Sequence, residues 1–187
     1  MKTIGFALCG SFCTFRKAVD SLKLLSERYD IIPIFSPASC TTDSRFGTAE
    51  SWRREVEDIC GRPPLSTLSE VEPIGPKKLL DLLVIAPCTG NTVGKLANGI
   101  ADTSVTLACK AHLRNARPVV LAISTNDGLA ANAENIGTLL NRKHYYFVPF
   151  GQDSPHGKPF SLVADMSLLP QTVEVALEGQ QLQPILR

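Results

Sequence analysis

The stretch Leu82-Leu83-Val84-Ile85-Ala86-Pro87-Cys88-Thr89-Gly90-Asn91-Thr92-Val93-Gly94-Lys95-Leu96 decides how this chain is read. Leu82 to Ala86 form an unbroken apolar run that stops at Pro87. Such a run predicts a strand covered on both faces. Small polar residues follow, and a helical spacing of apolar side chains begins at Val93. A buried strand therefore breaks into a helix through a loop of hydroxyls, an amide and a glycine. In an open α/β sheet that loop lies at the carboxyl end of the strands, where ligands bind. The free N–H groups of the new helix favour an anion there.

Outward from this stretch, strands and helices alternate. Strands are predicted at Thr3–Leu8, Ile31–Phe35, Pro118–Ile123 and Tyr145–Val148. Helices are predicted at Phe15–Tyr29, Thr48–Cys60, from Asp102 (as cap) to about Arg114, at Ala130–Leu140 and at Ser167–Leu177. Residues 61–76 hold prolines and glycines and read as an irregular covering segment. The alternation predicts an α/β fold: one three-layer, doubly wound, Rossmann-like or flavodoxin-like domain with a mostly parallel sheet. The whole chain, residues 1–187, forms that domain, with a core over about 1–150 and a C-terminal extension over 151–187.

A parallel sheet gathers its strand ends on one edge. Here the ends read Cys9-Gly10-Ser11, Ser36-Pro37-Ala38-Ser39, Cys88-Thr89-Gly90-Asn91-Thr92, Ser124-Thr125-Asn126-Asp127-Gly128 and Gln152-Asp153-Ser154-Pro155-His156. Each loop alone is ordinary cap and turn chemistry. Together they predict a crevice that holds a phosphate-bearing ligand by neutral hydrogen bonds. Gly5 and Gly10 do not make Gly-x-Gly-x-x-Gly, which argues against a dinucleotide site. His156, the only histidine in one of these loops, is the sole candidate base.

Composition narrows the classes. With 19 basic and 18 acidic residues the net charge is +1, so there is no broad footprint for nucleic acid. No apolar run approaches the roughly 20 residues of a membrane span. The N-terminal residues lack a signal-peptide pattern, and a cytoplasmic protein is expected. The six cysteines form no Cys-x-x-Cys pair and the three histidines are scattered, so no metal site is expected. The thiols are expected to be buried and inert, Cys88 excepted because of its loop.

Ala86 to Thr92, followed by Lys95-Leu96-Ala97-Asn98-Gly99-Ile100-Ala101-Asp102, resembles the Pro-Ala-Ser-Ala-Asn-Thr signature of the FMN-binding flavoprotein family. That family includes phosphopantothenoylcysteine decarboxylases, lantibiotic cysteine decarboxylases and flavin prenyltransferases. Ser124 to Leu129, Tyr146 to Asp153 and the tail Gln181 to Ile185 extend the resemblance to a branch whose members are the B subunit of a dipicolinate-forming enzyme. The resemblance implies oxidation of a dihydrodipicolinate-type heterocycle during sporulation, a partner A subunit carrying NAD(P), and a trimer-based homo-oligomer. It also implies FMN or a flavin-like ligand held by Gly10, Ser11, Phe12, Ser36, Cys88, Thr89, Asn91, Thr92, Ser124 and Asn126.

Two departures bear on chemistry. The decarboxylases carry a catalytic histidine at a spacing that falls near Pro73, and no histidine lies between residues 1 and 111 here. Their second signature, Pro-x-Met-Asn, is reduced to Ile123-Ser124-Thr125-Asn126, where only Asn126 matches. The resemblance therefore implies the phosphate pocket rather than cysteine decarboxylation. Two alternatives stay open: a non-catalytic chain for binding or assembly, and a stand-alone FMN-dependent decarboxylase.

Overall fold

A computed structural model describes all residues, Met1–Arg187. Its sheet is assembled from β1 (Thr3–Leu8), β2 (Asp30–Phe35), β3 (Leu82–Cys88), β4 (Val119–Thr125), β5 (Tyr145–Phe147), β6 (Phe150–Gly151) and β7 (Leu162–Ala164). The helices are α1 (Phe12–Ser26), α2 (Pro37–Thr41), α3 (Ala49–Cys60), α4 (Leu68–Val71), α5 (Gly90–Ala97), α6 (Ser104–Leu113), α7 (Ala133–Leu140) and α8 (Leu169–Leu177). None is long and apolar enough to cross a membrane.

The strand order is β2-β1-β3-β4, all parallel, with β5 parallel to the first half of β4. This is the doubly wound α/β sheet that the alternation predicts. Every residue of β3 is buried, as its unbroken apolar run requires. From β1 the chain moves to β2 on one side, whereas β3 to β4 moves the opposite way. Right-handed crossovers therefore put α1 on one face and α5 and α6 on the other. The contacts agree: α8 joins α1, and α7 joins α5. The two directions of winding diverge between β1 and β3, which opens a crevice above their carboxyl ends.

Several boundaries differ from the sequence reading, each for a local reason. Helix α1 starts at Phe12, three residues early, because its first turn closes on Thr14 N–H to the Ser11 carbonyl. Helix α5 starts at Gly90, not Val93, because the Thr89 hydroxyl caps it by accepting from Thr92 N–H at 3.3 Å. Helix α6 is capped by Thr103 rather than Asp102, in a reciprocal box with Thr106. Asp102 instead pairs with Lys95 at 2.7 Å. Within residues 61–76, Thr67 and Glu70 form a capping box that starts α4.

Two features lay below the resolution of sequence patterns. Strand β3 continues through Pro87, where its register against β4 slips between Ile85 and Cys88. A proline has no N–H for the ladder, so a slip is where it is tolerated. Beyond Pro149 the chain forms β6 and β7, which are antiparallel to each other; β7 also pairs antiparallel with Ser124 and Thr125 of β4. Strands of two and three residues are too short for any alternation to be visible. This hairpin brings residues 152–163 to the sheet edge that carries the crevice.

Candidate functional site

The carboxyl ends of β1, β3 and β4 surround a crevice of about 730 Å³, within the roughly 300–1,000 Å³ usual for small-molecule sites. Gly10, Ser11, Phe12, Thr89, Asn91, Ser124 and Asn126 line it, so seven of the ten nominated residues meet there. Ser36, Cys88 and Thr92 do not line it. Each has a local occupation. The Ser36 hydroxyl caps α2 by accepting from Ser39 N–H at 3.2 Å. Thr92 donates to the Cys9 thiol at 3.3 Å. Cys88, the last residue of β3, is fully buried. His156 is exposed and lies outside the lining.

Cys88 departs from the reactivity expected of its loop. Burial pushes its thiol well above the ordinary range, with the neighbouring Cys9 and Cys109 adding to the effect. It is a core residue. The exposed thiol in the crevice is Cys13, in the first turn of α1.

Hydroxyl chemistry dominates the floor. Ser11 Oγ lies 2.8 Å from Ser124 Oγ, and Thr14 Oγ1 lies 3.1 Å from the latter. The Thr14 proton goes to the Ser11 carbonyl at 2.9 Å. If the Ser124 proton goes to Ser11 or Thr14, the Ser11 proton is left for the crevice, aimed at an anionic oxygen. Removing the central hydroxyl (Ser124→Ala) is expected to cost about 1 kcal/mol of folding stability. Chemical denaturation reads this directly; an unchanged midpoint would contradict the hydroxyl chain.

A second polar group stands beside the start of α5. Asp127 accepts from the Thr125 hydroxyl and from Asn132 Nδ2 at 2.8 Å. Asn135 extends the network by donating to Asn132 Oδ1 at 3.0 Å. Gly90 packs onto it: an added Cβ would lie 2.5 Å from Thr125 Oγ1 and 2.8 Å from Asp127 Oδ1. A fixed carboxylate thus sits next to the α5 N-terminus. A phosphate in this crevice is better placed towards Ser11 and Thr89 than against Asp127.

Sequence reasoning nominated none of Ser44, Phe46, Gly90, Asp127, Asp153, Lys158 or Ser161, all of which line the crevice. Gly90, Asp127 and Asp153 stood in the strand-end loops but are common turn residues. Ser44 and Phe46 follow α2, and Lys158 and Ser161 arrive with the β6–β7 hairpin; no local signal marks any of them. A groove of about 790 Å³ between α1 and α3 is lined by one apolar side chain and by exposed charges, among them the Arg54–Glu50 pair.

The residues fit a flavin mononucleotide. Gly10 lets the β1 loop pack closely on α2, since a Cβ there would lie 3.1 Å from that of Ala38. Neutral hydroxyls face the crevice, and Phe12 and Phe46 line it as aromatic faces.

A doubly wound sheet with a hydroxyl-lined crevice at its switch point defines an α/β protein with its candidate ligand site at the carboxyl ends of the strands. Residues 1–166 match the Flavoprotein family, and the chain belongs to it. It is 47% identical over 186 residues to the B subunit of dipicolinate synthase from Bacillus subtilis, spanning 99% of this chain and 93% of that one. The crystal structure of the corresponding B subunit from Bacillus halodurans superposes with a TM-score of 0.91 at 45% identity, covering 100% of this chain and 96% of that one. The FMN-dependent cysteine decarboxylase SpaF shares the fold (TM-score 0.69, 20% identity, 95% and 96% coverage). The family and branch expected from the sequence are those the chain matches.

Proposed function

We propose that this chain supplies the flavin-type pocket of a two-chain oxidoreductase that forms dipicolinate during sporulation. The observation that carries the reading is the convergence of Ser11, Thr89, Asn91, Ser124 and Asn126 around one crevice. The similarity to two dipicolinate synthase B subunits supports the choice of branch. The substrate is a dihydrodipicolinate-type heterocycle, and the reaction a two-electron oxidation to the aromatic pyridine. A bound FMN would supply two-electron acceptor chemistry. The chain's own residues bind and orient: Ser11 and Thr89 donate to a phosphate, Asn91 and Asn126 fix a ring or a carboxylate, and Phe12 covers an apolar face. The partner is the A subunit of dipicolinate synthase, which carries the NAD(P) site. The chain acts as one domain, whose extension over residues 151–187 brings Asp153, Lys158 and Ser161 to the crevice, in a trimer-based assembly in the cytoplasm.

One observation favours a second reading, in which this chain only binds and its partner performs the chemistry. No histidine lines the crevice, and its only charged side chains are Asp127, Asp153 and Lys158. The deciding experiment assays dipicolinate formation with each of the two proteins alone and with both together, with and without FMN. Product is expected only from the pair, and flavin colour in the purified chain. Full activity of the partner on its own would remove the catalytic role; a colourless chain that takes up no added FMN would remove the flavin.

A further inference from the structure

Lys158 is the one cationic side chain in the lining of the crevice. It lies in the loop between β6 and β7, and that loop is fixed by its backbone. Lys158 N–H donates to the Ser154 carbonyl at 2.7 Å, and Ser161 N–H donates to the Lys158 carbonyl at 3.0 Å. Gln152 Nε2 donates to the Pro159 carbonyl at 2.8 Å, and Leu129 N–H to the Phe160 carbonyl at 2.9 Å. The second of these ties the loop to the segment after β4. Gly128 allows the close approach, since a Cβ there would lie 2.8 Å from the Leu162 side chain. The Lys158 backbone is therefore set, and only its side chain has freedom.

The Nζ of Lys158 stands 3.5 Å from Asp153 Oδ2, a loose pair between a side chain that is 62% exposed and one that is 34% exposed. Such a pair contributes little to stability. Asp153 does not depend on it: the Ser161 hydroxyl first, and the Lys158 charge only after it, holds this carboxyl below the usual range. Lys158 can thus leave while Asp153, one-third exposed, keeps its contact with water. The two remaining charges in the crevice are the carboxylates of Asp127 and Asp153, so an anionic ligand has no other cation to meet.

We propose that Lys158 is the anion-binding residue of the crevice, exchanging Asp153 for a carboxylate or phosphate of the bound molecule. Asp153 is the placeholder that keeps the ammonium over the opening when no ligand is present. This role for Lys158 rests on the reading of the crevice as the ligand site. It adds a specificity: a ligand stripped of its anionic group loses the Lys158 contact together with the hydroxyl and amide contacts to that group, so Lys158→Gln no longer changes its affinity.

Binding of FMN, riboflavin and pyridine-2,6-dicarboxylate to the full chain, by flavin fluorescence and calorimetry, tests it. Lys158→Gln is expected to weaken the ligand whose anion Lys158 takes by about three- to ten-fold. Riboflavin, which has no phosphate, should bind both proteins alike. Lys158→Arg should restore affinity, and Asp153→Asn should leave it equal or tighter. Weakening confined to FMN assigns the phosphate; weakening confined to the dicarboxylate assigns the carboxylate. Equal affinities of wild type and Lys158→Gln for both anions overturn the inference and leave the crevice reading standing. A wild-type chain that binds neither anion overturns both.

Discussion

Gly90→Ala is expected to destabilise the fold by about 2–4 kcal/mol and to abolish ligand binding in the crevice. An alanine Cβ at position 90 would lie 2.5 Å from Thr125 Oγ1, 2.7 Å from Asn132 Nδ2 and 2.8 Å from Asp127 Oδ1. None of these is the loose end of a flexible side chain. Asp127 is held by Thr125 and Asn132, and Asn132 in turn by Asn135. To admit one methyl, the network must break at a partly buried carboxylate, which leaves polar atoms without partners. The same helix supplies a control. Around Gly94 the nearest atoms to an added Cβ are 3.6 and 3.7 Å away, which is ordinary contact. Gly94→Ala should therefore stabilise by about 0.5–1 kcal/mol through helix propensity. Denaturant melts of both variants, paired with an FMN titration, check the contrast. Equal behaviour of the two would show that the Asp127 network does not constrain the start of α5.

A stability loss of about 3 kcal/mol as the pH falls from 6.5 towards 4 is expected from a single residue, His112. Its ring is fully buried in α6. Nε2 lies 3.0 Å from the Pro118 carbonyl, which can only accept, so the proton of the neutral ring sits on Nε2. Nδ1 has no partner. Charging the ring would place an N–H at Nδ1 with nothing to receive it. Burial accordingly lowers the histidine from 6.5 to about 4, with the Pro118 bond opposing and Arg117 assisting. In the unfolded chain the residue takes up its proton first, near 6.5, whereas the native state resists until about 4. The contribution of the neutral ring is full above 6.5 and is lost progressively down to about 4. His112→Gln should remove this part of the pH slope, whatever its effect on stability at neutral pH. Denaturation free energies of both proteins at several pH values supply the measurement. A variant with the wild-type slope would refute the assignment.

Much of the architecture was legible because the central strands are covered on both faces. Leu82–Ala86 and Val119–Ile123 had to be apolar at every position, and their short length together with the turn residues that bound them marks them as strands. Helix starts were less legible. A hydroxyl before a helix signals a cap, but several stood in a row at Cys88–Thr92 and around Asp102–Thr106. Which one caps depends on where the preceding strand releases the chain.

The candidate site divides along the same line. Ser11, Thr89, Asn91, Ser124 and Asn126 reach the crevice because each lies at or just beyond the carboxyl end of a parallel strand, and the sheet alone puts them on one edge. Ser36 and Thr92 satisfy the same rule, yet one closes a helix turn and the other turns towards Cys9. Side-chain direction separated them, and that is set by packing rather than by position in the chain.

The sequence by itself determined the doubly wound sheet, the edge that holds the crevice and its largely neutral hydroxyl character. Those follow from apolar runs and from strand-end loops, which are local patterns. Only the tertiary structure decided which hydroxyls face the opening, and only it placed Asp127 against Gly90 and Lys158 against Asp153. The hairpin β6–β7 is held by the pairing of β7 with Ser124 and Thr125 of β4, some forty residues away in sequence. A charge delivered by so distant a pairing leaves no trace in the local pattern of the chain.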